Sequence, residues 1–223
     1  MTKNLFLQGI TKFISGVVIV GMLLFLSAGT FAFVNGWVLM TILFLPMLIA
    51  GIIMMFKCPD LLRKRLYAKE NHVEQRNVIR LSGLMFISGF IVAGLTFRLG
   101  WYGLPEWVVG IFVFVFIVGY LLYGEVLREN KYISRTIRIE RGQTVIDTGL
   151  YGVIRHPMYS ATLLLFLSMP LVLGSIYSFL IFLAYPFIVA KRIENEEELL
   201  EKELEGYREY KQRVKYRLIP FVW

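Results

Sequence analysis

Long apolar runs separated by short basic segments constrain this chain more than any other feature. Residues 159–190 form 32 consecutive positions without a charged side chain, and four further apolar runs precede them. Crossing the hydrocarbon core of a bilayer takes about 20 apolar residues in a helix. The chain is also 57% hydrophobic and only 18% charged, with a mean hydropathy of +0.64. This composition indicates a polytopic membrane protein and excludes an ordinary soluble domain.

The apolar runs predict an all-α fold. Spanning helices are expected at residues 13–34, 37–56, 81–99 and 107–123, the first two joined as a tight hairpin. A cleaved signal peptide is the alternative for the first run, but its apolar character continues past any cleavage site. Pro170, Gly174 and Pro186 interrupt the run 159–190, which predicts a helical hairpin turning near Gly174.

The predicted fold is therefore a polytopic transmembrane helical bundle of four spans plus a C-terminal helical hairpin, five or six membrane helices in all, with a cytoplasmic amphipathic tail helix. It divides into an N-terminal four-span membrane region, residues 1–123, and a C-terminal region, residues 124–223, that carries the candidate chemistry.

Charge predicts the topology and excludes several functions. The net charge is +8, and the basic residues concentrate at 57–80, 124–158 and 191–223, whereas Arg98 alone lies near an opposite connector. The positive-inside rule then puts both termini in the cytoplasm. Basic residues that lie between apolar runs do not indicate a nucleic-acid partner. Cys58 is the single cysteine, no Cys/His spacing predicts a metal site, and His72 is expected to be solvated in its charged loop.

The segment 149–159 crowds conformationally special and titratable residues together. Pro157 favours the first position of a helix and keeps His156 out of the helical region. The N-terminus of that helix would present unpaired N–H groups beside Arg155 and His156, with the hydroxyl groups of Tyr151 and Tyr159 near by. This arrangement predicts an anion site at the surface. An interfacial anchor at the level of the lipid headgroups is the alternative.

The charged tail has a helical period. One face carries an apolar stripe with a single carboxylate, at i, i+4, i+7, i+11 and i+14: Ile193, Glu197, Leu200, Leu204 and Tyr207. A separate acidic face is expected to be solvated: Glu194, Glu198, Glu201 and Glu205. The inward Glu197 needs a cationic partner, which either a ligand ammonium or Arg155 would supply. A ligand site and a structural ion pair both remain open.

The pattern of this second half resembles a known superfamily. It reads Gly149-x-Tyr151-x-x-x-Arg155-His156-Pro157-x-Tyr159, then an uncharged hairpin, then Arg192-Ile-Glu-Asn-Glu196-Glu197 and Tyr207-x-x-Tyr210. It is similar to the isoprenylcysteine carboxyl methyltransferase and phospholipid methyltransferase superfamily of integral membrane enzymes, closely over residues 149–220. The glycine at Gly206 is shifted relative to the usual pattern.

The resemblance implies S-adenosyl-L-methionine as methyl donor, S-adenosyl-L-homocysteine as product, and a lipophilic acceptor that enters from the bilayer to a site at its cytoplasmic surface. No metal is implied. The implied cofactor-binding residues are Tyr151, Arg155, His156, Pro157, Tyr159, Glu196 and Glu197. Arg192 and Glu197 are the implied catalytic pair, with Arg192 orienting the acceptor.

Isoprenylcysteine-type carboxyl O-methylation is the favoured reaction, with N-methylation of a phospholipid amine or S-methylation of a small lipophilic thiol as alternatives. A membrane sterol or enone reductase that uses a reduced nicotinamide cofactor is a further alternative, because such enzymes share a His-Pro-x-Tyr element. A membrane scaffold or small transporter would leave the inward Glu197 and the His-Pro segment without a role. The sequence does not indicate an oligomeric state.

Overall fold

The described part of the chain is a bundle of helices. The computed structural model describes residues 3–66, 73–133 and 139–223, and these contain nine α-helices and no strand. The helices are α1 Lys3–Ala28, α2 Val34–Lys57, α3 Pro59–Leu66, α4 Val73–Arg98, α5 Glu106–Glu129, α6 Pro157–Val172, α7 Ile176–Phe182, α8 Tyr185–Glu203 and α9 Tyr207–Arg213. The predicted polytopic helical bundle is confirmed.

Among the described residues, five helical segments are long and apolar enough to cross a membrane. They are Leu5–Ala28, Val34–Lys57, Arg76–Arg98, Glu106–Glu129 and Ile176–Glu203, the last formed by α7 and α8 together. Large apolar side chains cover their outer surfaces, as on Leu26, Phe56 and Phe114, which are 71%, 74% and 67% exposed. Such a surface requires lipid around it. The chain is therefore a multi-pass membrane protein.

Several element boundaries differ from the predicted ones, and α1 begins earlier and α5 ends later than expected. The first span ends at Ala28 instead of residue 34, because Gly29 takes a φ of +70° and ends the helix there. The tail is not one separate helix. Its first part continues the second arm of the hairpin as α8, which stops at Glu203, and Gly206 with a φ of +81° starts the short α9.

Helix α4 lies at the centre of the bundle. A Cβ atom on its Gly94 would lie 1.9 Å from the Ser27 Oγ and 2.7 Å from the Leu24 carbonyl oxygen, so α1 and α4 are in backbone contact. A Cβ on Gly89 would lie 2.3 Å from the Phe182 ring of α7. Gly89 and Gly94 of α4 therefore allow close helix packing.

The C-terminal hairpin turns where predicted. Gly174 has a φ of +75°, and the Ser175 hydroxyl oxygen caps α7 by accepting from the Ser178 N–H at 3.1 Å. The Leu104 N–H donates to the Gly174 carbonyl oxygen at 3.0 Å. The turn thus packs against the α4–α5 connector, at one end of the bundle. At the other end, the Lys64 ammonium of α3 contacts Glu140 at 2.7 Å.

The segment after α5 positions the residues that follow it. The Glu129 carboxylate accepts from the Leu150 N–H, at 3.2 and 3.0 Å for its two oxygens, at the start of a 3-10 turn, Gly149–Gly152. Gly149 has a φ of +54° there. Residues 139–145 lack regular structure, with a turn at Gly142. Residues 134–138 and His72 lie outside the described residues.

Candidate active site

An open pocket lies where the segment after α5, the start of α6, the second half of α8 and α9 meet. Its volume is about 910 Å³, counting the solvent at its mouth. The residues that line it include Asn130, Tyr132, Ile139, Val145, Tyr151, Arg155, His156, Tyr159, Arg192, Glu196, Leu200, Leu204, Tyr207 and Tyr210.

A three-residue polar chain forms one wall of this pocket. The Tyr159 hydroxyl donates to Glu196 Oε2 at 2.5 Å and accepts from Arg192 Nε at 2.8 Å. Arg192 and Glu196 lie four residues apart on α8, so they share a face of that helix. Tyr159 comes from the first turn of α6. The start of the hairpin and its returning arm therefore hold an acid and a cation together at the pocket.

Glu197 lies behind this wall and does not line the pocket. Its side chain is 3% exposed, and Oε1 accepts from Arg155 Nε at 2.7 Å and contacts His156 Nε2 at 3.1 Å. Its other oxygen, Oε2, accepts from Arg217 Nε at 3.1 Å and lies 3.6 Å from the Lys211 ammonium. Four potential cationic groups surround one carboxylate. Within the described structure, Arg155 supplies the partner that the inward Glu197 requires.

The expected surface anion site at the start of α6 is not on the surface. Pro157 does begin α6 as its first residue, but Arg155 and His156 are each 6% exposed. The Arg155 guanidinium donates through Nη1 to the carbonyl oxygens of Val214 and Lys215, both at 2.7 Å. The anion beside these cations is the protein's own Glu197 carboxylate. Packing by the C-terminal segment therefore turns an expected surface site into a buried one.

The backbone of the C-terminal segment completes this arrangement. The N–H groups of Arg155 and His156 donate to the carbonyl oxygens of Tyr216 and Arg217, both at 2.9 Å. The Ser160 hydroxyl donates to the Leu218 carbonyl oxygen at 2.7 Å. Residues 214–218 thus lie across the start of α6 and hold it in place.

Three buried tyrosines of the pocket remain neutral. Burial raises the pKa of the phenols of Tyr151, Tyr207 and Tyr210 well above the usual value. The Tyr151 hydroxyl oxygen accepts from Asn130 Nδ2 at 3.0 Å, and the Tyr210 hydroxyl donates to the Tyr151 carbonyl oxygen at 2.7 Å. These hydroxyl groups therefore act as hydrogen-bonding groups and not as charges.

Five of the predicted cofactor-binding residues line the pocket: Tyr151, Arg155, His156, Tyr159 and Glu196. Two do not, since Pro157 is fully buried in the helix start and Glu197 lies behind Arg155 and His156. The predicted catalytic Arg192 lines the pocket as well.

The predicted stripe on the tail describes a packing face and not the pocket wall. Ile193 and Glu197 are buried inside the protein. The wall is formed by Arg192 and Glu196, each one position earlier in the chain, and by Leu200, which belongs to both the stripe and the wall. Its continuation to Leu204 and Tyr207 is also interrupted, because α8 ends at Glu203. Those two residues are nonetheless buried. On the acidic face, Glu194, Glu198 and Glu205 are exposed, but Glu201 is half-buried and pairs with Lys211.

Comparison with known proteins relates the part of the chain that holds most of the pocket to a known family. The model of the phospholipid methyltransferase family matches residues 105–205, from just before α5 to just beyond α8. This match confirms the predicted relationship to the integral membrane methyltransferase superfamily. The description of the matching family supports a methyltransferase activity. The chain is also similar to the delta(14)-sterol reductase TM7SF2 of Mus musculus, 31% identical over 91 residues. That stretch is 40% of this chain and 22% of the reductase, so the chain matches about a fifth of the reductase's length.

Proposed function

We propose that this protein is an S-adenosyl-L-methionine-dependent methyltransferase that acts on a lipophilic acceptor at the membrane surface. The observation that carries the proposal is the pocket wall of Arg192, Tyr159 and Glu196, since it lies within the region that matches the methyltransferase family. Paired acidic and cationic groups beside buried tyrosines suit a ligand that is itself both cationic and anionic.

The residues of the pocket fit the chemical groups of this donor. An ammonium and a sulfonium call for a carboxylate and for the faces of aromatic rings, which Glu196 and the tyrosines supply. A carboxylate calls for a cation, and Arg155 also lines the pocket. When bound, S-adenosyl-L-methionine supplies an electrophilic methyl group and leaves as S-adenosyl-L-homocysteine.

The protein's part in the proposed reaction is to orient the reactants and to exclude water. Glu196 would hold the donor's ammonium, and Tyr159 fixes the Glu196 carboxylate by donating to it at 2.5 Å. Arg192 would orient the acceptor. Its own side chain is fixed in position, because its Nε donates to the Tyr159 hydroxyl oxygen at 2.8 Å. Fixed partners of this kind raise the rate of a displacement by holding the reacting atoms in line.

Arg155, His156 and Glu197 have a different role in this proposal. They are positioning residues, since their buried contacts join α6, α8 and the C-terminal segment on which the wall stands. Arg155 and His156 also line the pocket, so they would contact the donor directly. Loss of one of them is expected to disturb the fold as well as the site.

The acceptor of the proposal is a lipophilic carboxylate of the isoprenylcysteine type, because Arg192 would pair with a carboxylate nucleophile. A phospholipid amine is the second candidate, favoured by the description of the matching family. The two differ in the product, since a methyl ester is cleaved by mild alkali and an N-methyl amine is not.

A membrane reductase is a second candidate function, favoured by the similarity to the sterol reductase. The thermal unfolding midpoint of the purified protein should separate the two. S-adenosyl-L-homocysteine at 100 times its dissociation constant should add about 2.7 kcal/mol to the stability, whereas NADPH should add nothing. Stabilisation by NADPH alone would favour the reductase, and stabilisation by neither compound would favour a scaffold or transporter.

A matched pair of variants locates the site in the same assay. Glu196→Gln should weaken S-adenosyl-L-homocysteine binding by about 10- to 150-fold, since a charge-assisted contact contributes roughly 1.5–3 kcal/mol. Glu198→Gln, two positions along α8 and exposed, should bind like the wild type. Equal affinities for both variants would exclude Glu196 from the donor site.

The proposal also places the pocket and both termini in the cytoplasm, because the basic segments gather at one end of the bundle. Cys58 is exposed at that end, and Tyr102 is 67% exposed on the opposite connector. In intact cells, a membrane-impermeant thiol reagent should fail to label Cys58. It should label a Tyr102→Cys variant in which Cys58 is replaced by Ser. The reverse pattern would invert the topology.

A further inference from the structure

Two buried tyrosines of α9 differ in the partners of their hydroxyl groups. Tyr207 and Tyr210 are 4% and 2% exposed, and both line the pocket. The Tyr210 hydroxyl donates to the Tyr151 carbonyl oxygen at 2.7 Å. The Tyr207 hydroxyl is buried and has no hydrogen-bond partner among the described residues. Buried hydroxyl groups are almost always paired, so this one has an unmet hydrogen bond at the pocket.

The ring of Tyr207 packs in an apolar cluster with Leu204, Leu200, Ile139 and Val145. Burial raises the pKa of the Tyr207 phenol, with smaller contributions from the carboxylates of Glu197 and Glu196, so the group keeps its proton and can donate it. The apolar part of the pocket therefore includes a hydroxyl donor that has no partner among the described residues.

The α8 wall changes character along its length. Arg192, Glu196 and Leu200 follow at intervals of four residues, or about 6 Å of helix rise each. The first two are charged, and Leu200 belongs to the apolar cluster around Tyr207. The pocket thus presents a charged part followed by an apolar part, which matches a ligand with a charged end and a flat, uncharged end.

We propose that the Tyr207 hydroxyl donates a hydrogen bond to the nucleobase of the methyl donor, which lies in the apolar part of the pocket, while the amino-acid end meets Arg155 and Glu196. This inference rests on the proposed function. A planar heterocycle buries two apolar faces and presents acceptor nitrogens at its edge, so one phenol donor in an apolar cluster suits it. The ammonium and the carboxylate of the amino-acid end require charged partners instead.

Tyr207→Phe and Tyr210→Phe form a matched pair for the test. Without ligand, Tyr207→Phe should unfold at or slightly above the wild-type temperature, because it removes an unpaired buried hydroxyl. Tyr210→Phe should unfold about 2–6 °C lower, because the Tyr151 carbonyl loses its donor. A midpoint for Tyr207→Phe that falls as far as that of Tyr210→Phe would mean that Tyr207 has an internal partner, and would overturn the inference.

Binding of two probes then tests the orientation. S-adenosyl-L-homocysteine carries both ends of the donor, and 5′-methylthioadenosine carries only the nucleoside. Tyr207→Phe should weaken both by the same factor, about 2- to 13-fold for one neutral hydrogen bond. Glu196→Gln should weaken only S-adenosyl-L-homocysteine.

The outcomes separate this inference from the proposed function. No binding of S-adenosyl-L-homocysteine by the wild type would overturn the proposed function itself. Wild-type binding with unchanged affinity in Tyr207→Phe would overturn only the role of Tyr207. Weakened binding of S-adenosyl-L-homocysteine but not of 5′-methylthioadenosine would place the hydroxyl at the amino-acid end and overturn the orientation.

Discussion

Replacing Glu197 by Gln should destabilise the protein strongly. The side chain is 3% exposed and contacts Arg155, His156, Arg217 and Lys211 at 2.7–3.6 Å. Gln has nearly the same shape but no charge, so buried cations would lose their counter-ion. Removing one partner of a buried ion pair costs about 3–5 kcal/mol. Since one kcal/mol shifts the midpoint by about 2–4 °C in a chain of this size, the midpoint should fall by roughly 6–20 °C.

The assay is thermal unfolding of the purified proteins in one detergent without ligand. Glu198→Gln is the control, because the exposed Glu198 pairs with Lys202 on the surface of the same helix. It should unfold like the wild type. A Glu197→Gln protein that is as stable as the wild type but no longer binds S-adenosyl-L-homocysteine would refute the reasoning. Glu197 would then be a ligand of the donor and not the centre of a structural ion cluster.

Two glycine substitutions test the packing that supports the site. Gly149→Ala should lower the thermal midpoint and weaken donor binding, because a Cβ would lie 1.6 Å from Glu129 Oε1 at a residue whose φ is +54°; unchanged binding would show that the turn adapts. Gly94→Ala should destabilise the bundle, because its Cβ would lie 1.9 Å from the Ser27 Oγ. Gly83→Ala on the same helix, with nothing within 4 Å, should unfold at or above the wild-type temperature, and equal midpoints for these two variants would contradict the described contact of α1 and α4.

Local steric rules made parts of this fold predictable. Pro157 begins α6 as expected, since its fixed φ suits a first helical position and excludes the preceding residue from the helix. Gly174 ends the first arm of the hairpin with a positive φ. The inward direction of Glu197 followed from its helical period. Each of these properties depends on residues that are near in sequence, so each can be predicted from the sequence alone.

The pocket wall could not be predicted in the same way. Helix α8 is covered on more than one side, so its period shows that Glu197 is inward but not that Arg192, Glu196 and Leu200 face a cavity. The burial of Arg155 depends on carbonyl oxygens of residues 214 and 215. Every residue has a carbonyl group, so no side-chain pattern marks these acceptors. Packing between segments distant in sequence decides such contacts.

The transfer of a methyl group into lipid tests the central proposal most directly. Membranes that contain the protein would be incubated with methyl-tritiated S-adenosyl-L-methionine and a prenylcysteine or phosphatidylethanolamine, and the label in the organic extract counted. We expect wild-type membranes to label the prenylcysteine in a form that mild alkali releases, and Glu196→Gln membranes to label it far less. Labelling by wild-type membranes that does not exceed that of membranes lacking the protein, with either acceptor, would contradict the proposed methyltransferase.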